Sequence, residues 1–318
     1  MLFRQLEYLV ALAGERHFAR AAQLCGVSQP SLSEAIRKLE EELAVPLIRR
    51  GRRFGGLTPE GDRVVAWARQ ILADRDALLT EVGAMRTGLT GRLRIGTVPS
   101  AAVTAPRLIE SLRTVHPLLT ADVASDLTSV SIVERLRDFS LDAALTYLDD
   151  EMRAEFRVRT LYQERYILLV SADRATSLGP VASWAEAAAL PLCLLTPAMR
   201  GRRMMDACFA EAGAAPVAEV ETDSFATVLA HVASGRTAGV VPPAWLHALG
   251  IPAGVRAVPL TAPSKPVEIG LVVRARDPLP PAVQALLSAA ERADFQDLED
   301  GPVRYPTGSG TRSRSVRL

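Results

Sequence analysis

The chain has 318 residues, 48% hydrophobic and 23% charged, with a formal net charge of +1. That length suggests two domains or three, and the composition is that of an ordinary globular chain and excludes a disordered one. The near-zero charge excludes a uniformly basic nucleic-acid binder; since only Lys38 and Lys265 are lysines, any local basic patch must be arginine.

The opening stretch, MLFRQLEYLVALAGERHF, has an apolar run too short, and too interrupted by Glu7, for a membrane span or a signal peptide. No apolar stretch reaches the roughly 18 residues a span requires. Three cysteines, Cys25, Cys193 and Cys208, have neither metal-ligand nor disulfide-framework spacing, which fits a reducing cytoplasm.

Leu2, Leu6, Leu9 and Val10 recur at helical spacing. A second helix is predicted over 18–24, with Gly26 as its stop. A third begins after Ser28, an N-cap, with Pro30 in its first turn. Two helices joined by a short turn containing Gly form a helix-turn-helix pattern. In the third helix Leu32, Ile36, Leu39 and Leu43 share an inward sector. Pro30, Ser31, Glu34, Arg37 and Lys38 lie opposite, flanked by Gln29 and Ser33. An ordinary amphipathic helix gives this pattern, and so does a recognition helix in a major groove, where Gln pairs with adenine and Glu with cytosine.

The following RRGRRFGG segment carries Arg49, Arg50, Arg52 and Arg53 among glycines that permit a tight hairpin. Arginine runs are usually solvated surface; beside a helix-turn-helix pattern this one reads as a wing that grips phosphates. Thr58 and Pro59 then open a helix of roughly 28 residues, about 42 Å long. Val64, Ala68, Ile71, Leu78 and Val82 form its stripe, which predicts dimerisation along this helix; packing on the chain's own later domain is the other reading.

From Arg92 on, strands are expected at 93–97, 121–124, 143–147, 166–170, 192–195, 217–221, 238–241 and 267–273. Helices are expected between them, an α/β pattern with largely parallel sheets. Ligands bind beyond the carboxyl ends of such strands. Three of those ends carry Pro99-Ser100, Thr128-Ser129 and Thr196; hydroxyls beside helix N-termini suit a small anion, although Ser and Thr are also simply good caps. No HExxH, GxSxG or Walker loop is present, and the four histidines fit no metal spacing, so neither an enzyme nor a metal site is expected. The segment from Gly301 to Leu318 is expected to be disordered.

Residues 18–48, FARAAQLCGVSQPSLSEAIRKLEEELAVPLI, together with Leu57-Thr58-Pro59-Glu60-Gly61 and the long helix, resemble the LysR-type transcriptional regulators. The resemblance implies a winged helix-turn-helix over 1–58 and a dimerising linker helix over 59–88. It implies an effector-binding domain over 89–298 made of two Rossmann-like subdomains similar to type 2 periplasmic binding proteins. The first would span 92–163 and 268–298, the second 164–267, with a tail over 299–318. It further implies a cytoplasmic homodimer or homotetramer on double-stranded operator DNA, with RNA polymerase as a partner. A small-molecule inducer would bind between the subdomains, and no other cofactor is implied. Such a protein would activate an adjacent operon and repress its own gene. By position, Ser28, Gln29, Pro30, Ser31 and Ser33 match the DNA-contacting segment and Arg50 and Arg53 the wing. Ser100, Thr128, Ser129 and Thr196 match inducer positions. Glu34 departs from the family's usual Arg or Gln, and Thr97-Val98-Pro99 replaces small residues, leaving base preference and inducer identity open. Two alternatives stand beside this reading: a regulator of the same fold switched by cysteine oxidation, and a solute-binding protein with no DNA role.

If the wing grips phosphates, Arg50→Ala or Arg53→Ala weakens binding to every DNA sequence and lowers the salt slope by about 1. Gln29→Ala instead alters base preference. Titrations of the full chain onto several duplexes over a range of salt concentrations separate the two effects.

Overall fold

The computed structural model describes residues 1–49, 54–261 and 266–300. They divide into two compact units, Met1–Leu89 and the residues from Thr90 onward.

The first unit holds α1 (Phe3–Glu15), α2 (Phe18–Leu24), α3 (Gln29–Leu43) and α4 (Pro59–Thr87). The apolar faces of α1, α2 and α3 meet in a small core of Leu12, Ala21, Ala22, Leu32 and Ile36. Gly26 follows α2 at φ 66°, a left-handed conformation that suits glycine, and turns the chain toward α3. Leu43, expected inside, is exposed because α3 ends there and Ala44 takes the left-handed cap. The Glu40 carboxylate accepts from the Leu47 and Ile48 amides at 2.7 and 3.1 Å, which ties the chain after α3 back onto that helix. Ile48 then pairs antiparallel with Leu57, and the Arg49 amide donates to the Gly56 carbonyl. This is the stem of the expected hairpin; Arg50, Arg52 and Arg53 lie outside the described residues.

Helix α4 starts as its sequence requires. The Thr58 hydroxyl donates to the Pro46 carbonyl at 2.6 Å and accepts from the Gly61 amide at 2.9 Å, with Pro59 at the first helical position. The dimer stripe needs correction. Val65 and Ala68 are buried with Leu6, Leu9, Leu39 and Leu47, and Val64, Ile71 and Leu72 pack against the same cluster. The first half of the stripe therefore completes this unit's own core. Only the second half, with Leu78, Leu79, Val82 and Met85, remains exposed. Arg75, which interrupts the stripe, pairs with Glu7 and lies over the Phe3 ring, so it anchors α4 to α1.

The second unit contains two five-stranded sheets. The first has the order β2-β1-β3-β10-β4 and the second β7-β6-β8-β5-β9. The strands are β1 (Gly91–Thr97), β2 (Leu119–Ala124), β3 (Ala143–Tyr147), β4 (Phe156–Glu164), β5 (Ile167–Ser171), β6 (Leu192–Leu195), β7 (Ala218–Thr222), β8 (Ala238–Val241), β9 (Val255–Pro259) and β10 (Val267–Arg274). Helices α5 (Ala105–Val115), α6 (Ser129–Arg137) and α7 (Asp150–Glu155) belong to the first subdomain. Helices α8 (Ala172–Ala175), α9 (Trp184–Ala188), α10 (Arg200–Glu211), α11 (Phe225–Ala233) and α12 (Pro243–Leu249) belong to the second, and α13 (Pro281–Arg292) and α14 (Asp297–Asp300) follow β10. A short 3₁₀ segment, Pro99–Thr104, leads into α5.

Two strands escaped the sequence reading. Strand β4, with only Phe156, Tyr162 and Glu164 buried, lies at a sheet edge, where apolar alternation is weak; β9, the second strand missed, is also an edge strand. The sheets are mixed rather than largely parallel. Strand β10 runs antiparallel to β3 and β4, and β5 antiparallel to β8 and β9, because the chain enters and leaves each sheet by crossing from the other. Helix α14 carries ordered chain through Asp300, into the segment expected as tail; residues 301–318 lie outside the described ones.

A Cβ at position 61 would lie 2.0 Å from the Leu47 carbonyl oxygen. Gly61→Ala must push α4 away from the hairpin stem, and a loss of about 1–3 kcal/mol is expected in denaturant unfolding.

Candidate functional site

The exposed face of α3 gathers the expected short polar groups. Ser28, Gln29, Pro30 and Ser31 are exposed at its N-terminus, and Ser33 is half-buried. Ser28 caps the helix by accepting from the Ser31 amide at 3.3 Å, and the two hydroxyls lie 2.8 Å apart. No acidic residue stands in the first turn, so the helix dipole presents an unopposed positive end. One turn later the charges are already matched. Arg37 is held by both Glu34 carboxylate oxygens, at 2.6 and 2.8 Å, and by Glu41, with Lys38 at 3.7 Å from Glu34. These contacts hold the Glu34 carboxyl below the usual carboxylate range. Glu34, Arg37 and Lys38 thus sit on the expected face, but as an internally paired cluster.

In the second unit, the residues expected to bind an effector separate into different roles. Ser100 is fully enclosed, its hydroxyl 2.6 Å from the Tyr147 hydroxyl. The buried Pro99 offers its carbonyl to the Trp245 indole N–H at 3.2 Å. Thr128 caps α6, accepting from the Ser131 amide at 3.1 Å. The Thr196 amide donates to the Thr222 carbonyl at 2.7 Å. Ser129 alone among them lines a cavity in this unit, and its buried hydroxyl has no hydrogen-bond partner.

That cavity, about 410 Å³, lies between α6 and α7 on one side and the start of α10 on the other. The Arg200 guanidinium donates to Asp149 Oδ2 at 2.6 Å and stacks 5.7 Å above the Tyr147 ring. Asp149 Oδ1 meanwhile caps α7 through the Met152 amide at 2.8 Å. Partial burial pushes the Asp149 carboxyl up, but the Met152 amide and the Arg200 charge outweigh it and hold it below the ordinary value. Arg203 is fixed on the Pro197 and Ala198 carbonyls, and Arg137 donates through Nε and Nη2 to the two carboxylate oxygens of Glu155. The cavity is therefore lined by guanidinium and carboxylate pairs with apolar Val130, Val133 and Met152 between them. Asp149 and Arg200 escaped the sequence reading because they lie 51 positions apart. The one local signal was the RGRR run opening a helix.

Cys193 is buried in β6, where burial pushes its thiol up to about 11, and Cys208 is buried in α10. Among the described residues, no helix is long and apolar enough to cross a membrane, and no group of three His, Cys, Asp or Glu could hold a metal.

Two family models match the chain: a bacterial regulatory helix-turn-helix protein of the lysR family over residues 3–62, and a LysR substrate binding domain over residues 86–294. The DNA-binding transcriptional dual regulator OxyR of Escherichia coli strain K12 is 33% identical over 296 residues, covering 91% of this chain and 94% of that protein. The HTH-type transcriptional regulator BudR of Klebsiella aerogenes is 47% identical over 102 residues, 32% of this chain and 71% of that one. A full-length OxyR variant from Pseudomonas aeruginosa is 26% identical, with a TM-score of 0.71 over 92% of this chain and 99% of that chain.

Asp149→Asn keeps the helix cap and removes the ion pair. The expected loss is about 1 kcal/mol at neutral pH. Because the folded carboxyl lies below its ordinary value, this contribution is full above that value and disappears as pH falls through the folded one. Unfolding of both proteins near neutrality and in acid checks the sign.

Proposed function

The chain belongs to the LysR family of bacterial transcriptional regulators, and from that premise we propose that α3 reads operator DNA while the cleft of the second unit binds the small molecule that controls it. The observation that carries the reading is a capped helix with an exposed polar N-terminus, joined in one chain to an α/β unit with a lined cleft. The protein acts as a cytoplasmic, non-enzymatic regulator that represses its own gene and activates a neighbouring one.

Ser28, Gln29, Ser31 and Ser33 approach bases and phosphates at the N-terminus of α3, and Pro30 shapes that turn. Arg50, Arg52 and Arg53 supply phosphate contacts that the paired Arg37 does not supply in the free protein. Leu78, Val82 and their neighbours on α4 pair with a second copy, and dimers associate into the tetramer. Because Arg200 and Asp149 already satisfy one another, an effector must bring a polar group that replaces one of them, and the free Ser129 hydroxyl supplies an additional anchor. Ser100, Thr128 and Thr196 shape the cleft from behind.

The names of several relatives, among them the hydrogen peroxide-inducible genes activator of Haemophilus influenzae, raise a second reading. Peroxide sensing needs a reachable thiolate; with Cys193 and Cys208 both buried, the metabolite-controlled reading is the one favoured here.

Footprinting with the full chain on DNA upstream of its own gene is expected to show protection that Gln29→Ala redistributes; identical footprints would count against the α3 assignment. Any small carboxylic acid or amine that raises the melting temperature of the wild type should leave Ser129→Leu, whose cavity is filled, unmoved. The double variant Cys193→Ser, Cys208→Ser should respond to peroxide exactly as the wild type does.

A further inference from the structure

One ionisable group deep in the second unit has no place in DNA binding or in the cleft. Glu164 is the last residue of β4 and is 2% exposed. The chain leaves the first sheet at this residue and enters β5, in the second sheet, at Ile167. It returns through β10, whose first residue, Val267, stands in register with Glu164. Glu164 thus lies where both chain crossings between the subdomains meet.

Its surroundings are polar but poorly matched. Neither carboxylate oxygen has a partner in hydrogen-bonding geometry, and the Tyr162 and Tyr166 hydroxyls are likewise buried without one. The groups that sense its charge are Tyr147 from β3, Tyr162 from its own strand and Tyr166 from the crossing, while Ser100 from the 3₁₀ segment faces it directly. Arg200 and Cys208 stand one layer out, acting on Tyr147 and Tyr166 respectively. Among the described residues, no cation faces the carboxyl itself. A bare carboxylate here would lack both water and a counter-charge, which is strongly unfavourable.

We propose that Glu164 is a proton-binding site built into the crossing between the two subdomains, neutral while the crossing is closed and deprotonated when it opens to water. Burial pushes this carboxyl up to about 8, and the Ser100 hydroxyl partly offsets the shift. The proton is a ligand of the closed arrangement, so it shifts the population only through that difference in affinity. The closed state holds the extra proton between the ordinary carboxyl value and about 8. Over that window each pH unit upward lowers the closed-to-open ratio by up to about tenfold, and the effect ends above it.

Infrared difference spectra of the full chain and Glu164→Gln in heavy water test this. The wild type should show a protonated-carboxyl band near neutral pH that disappears with a midpoint near 8 and is absent from the variant. A wild type with no such band at neutral pH overturns the proposal, whatever the variant does. Amide exchange over residues 161–170, corrected for the intrinsic pH effect, should speed up as pH rises toward about 8 and level off above it in the wild type, and stay flat in Glu164→Gln. Parallel profiles would overturn the coupling to opening. Should Glu164→Gln fail to fold, Ser100→Ala replaces it: removing the hydroxyl that favours the carboxylate must raise the midpoint, and an unmoved midpoint counts against the site.

Discussion

The second unit is organised around one close approach. The Tyr147 hydroxyl lies 2.5 Å from where a Cβ would stand on Gly201, so the first turn of α10 can seat on β3 only because that residue is glycine. That contact brings a helix of the second subdomain against a strand of the first. It places Arg200 over the Tyr147 ring and within reach of Asp149. It also presses the Tyr147 hydroxyl against Ser100, which closes the polar pocket around Glu164.

The first unit depends on a comparable intimacy between α4 and the hairpin stem. Gly61 allows the helix to start against the Leu47 carbonyl, and Thr58 holds both ends of the contact. Because the helix starts there, Val65 and Ala68 fall into the core with Leu6 and Leu9, and the rest of the helix runs past the core it completes. A single apolar stripe thus serves two partners along its length: the chain's own first helix, then an exposed surface.

The arginine bias also resolves into distinct physical uses. Arg274, pushed down to about 10 by burial, donates to the Leu136 and Leu141 carbonyls and lies 4.3 Å from the Phe139 ring. Arg202 joins the Leu195 carbonyl to Asp206 and Glu221. Planar guanidiniums with several donors can bind carbonyls and carboxylates at once, which lysine cannot do. Much of the arginine content is therefore structural, and near-zero net charge coexists with a local run of arginines at positions 49, 50, 52 and 53.

What the sequence by itself determined was local. Caps at Ser28 and Thr58, the stop at Gly26 and the 3.6-residue periodicity place α2, α3 and α4 with little ambiguity, because each depends on neighbours within a turn or two. The family pattern in residues 18–61 and most of the α/β strands were legible for the same reason. Tertiary structure alone decided that Ser100 is enclosed rather than presented, that the sheets are mixed, and that Val64 and Ala68 face the chain's own core. It alone brought Asp149 to Arg200, and Glu164 to Ser100 and three tyrosines. Those outcomes depend on contacts between residues distant in sequence, and a local pattern records which face is apolar but not what will cover it.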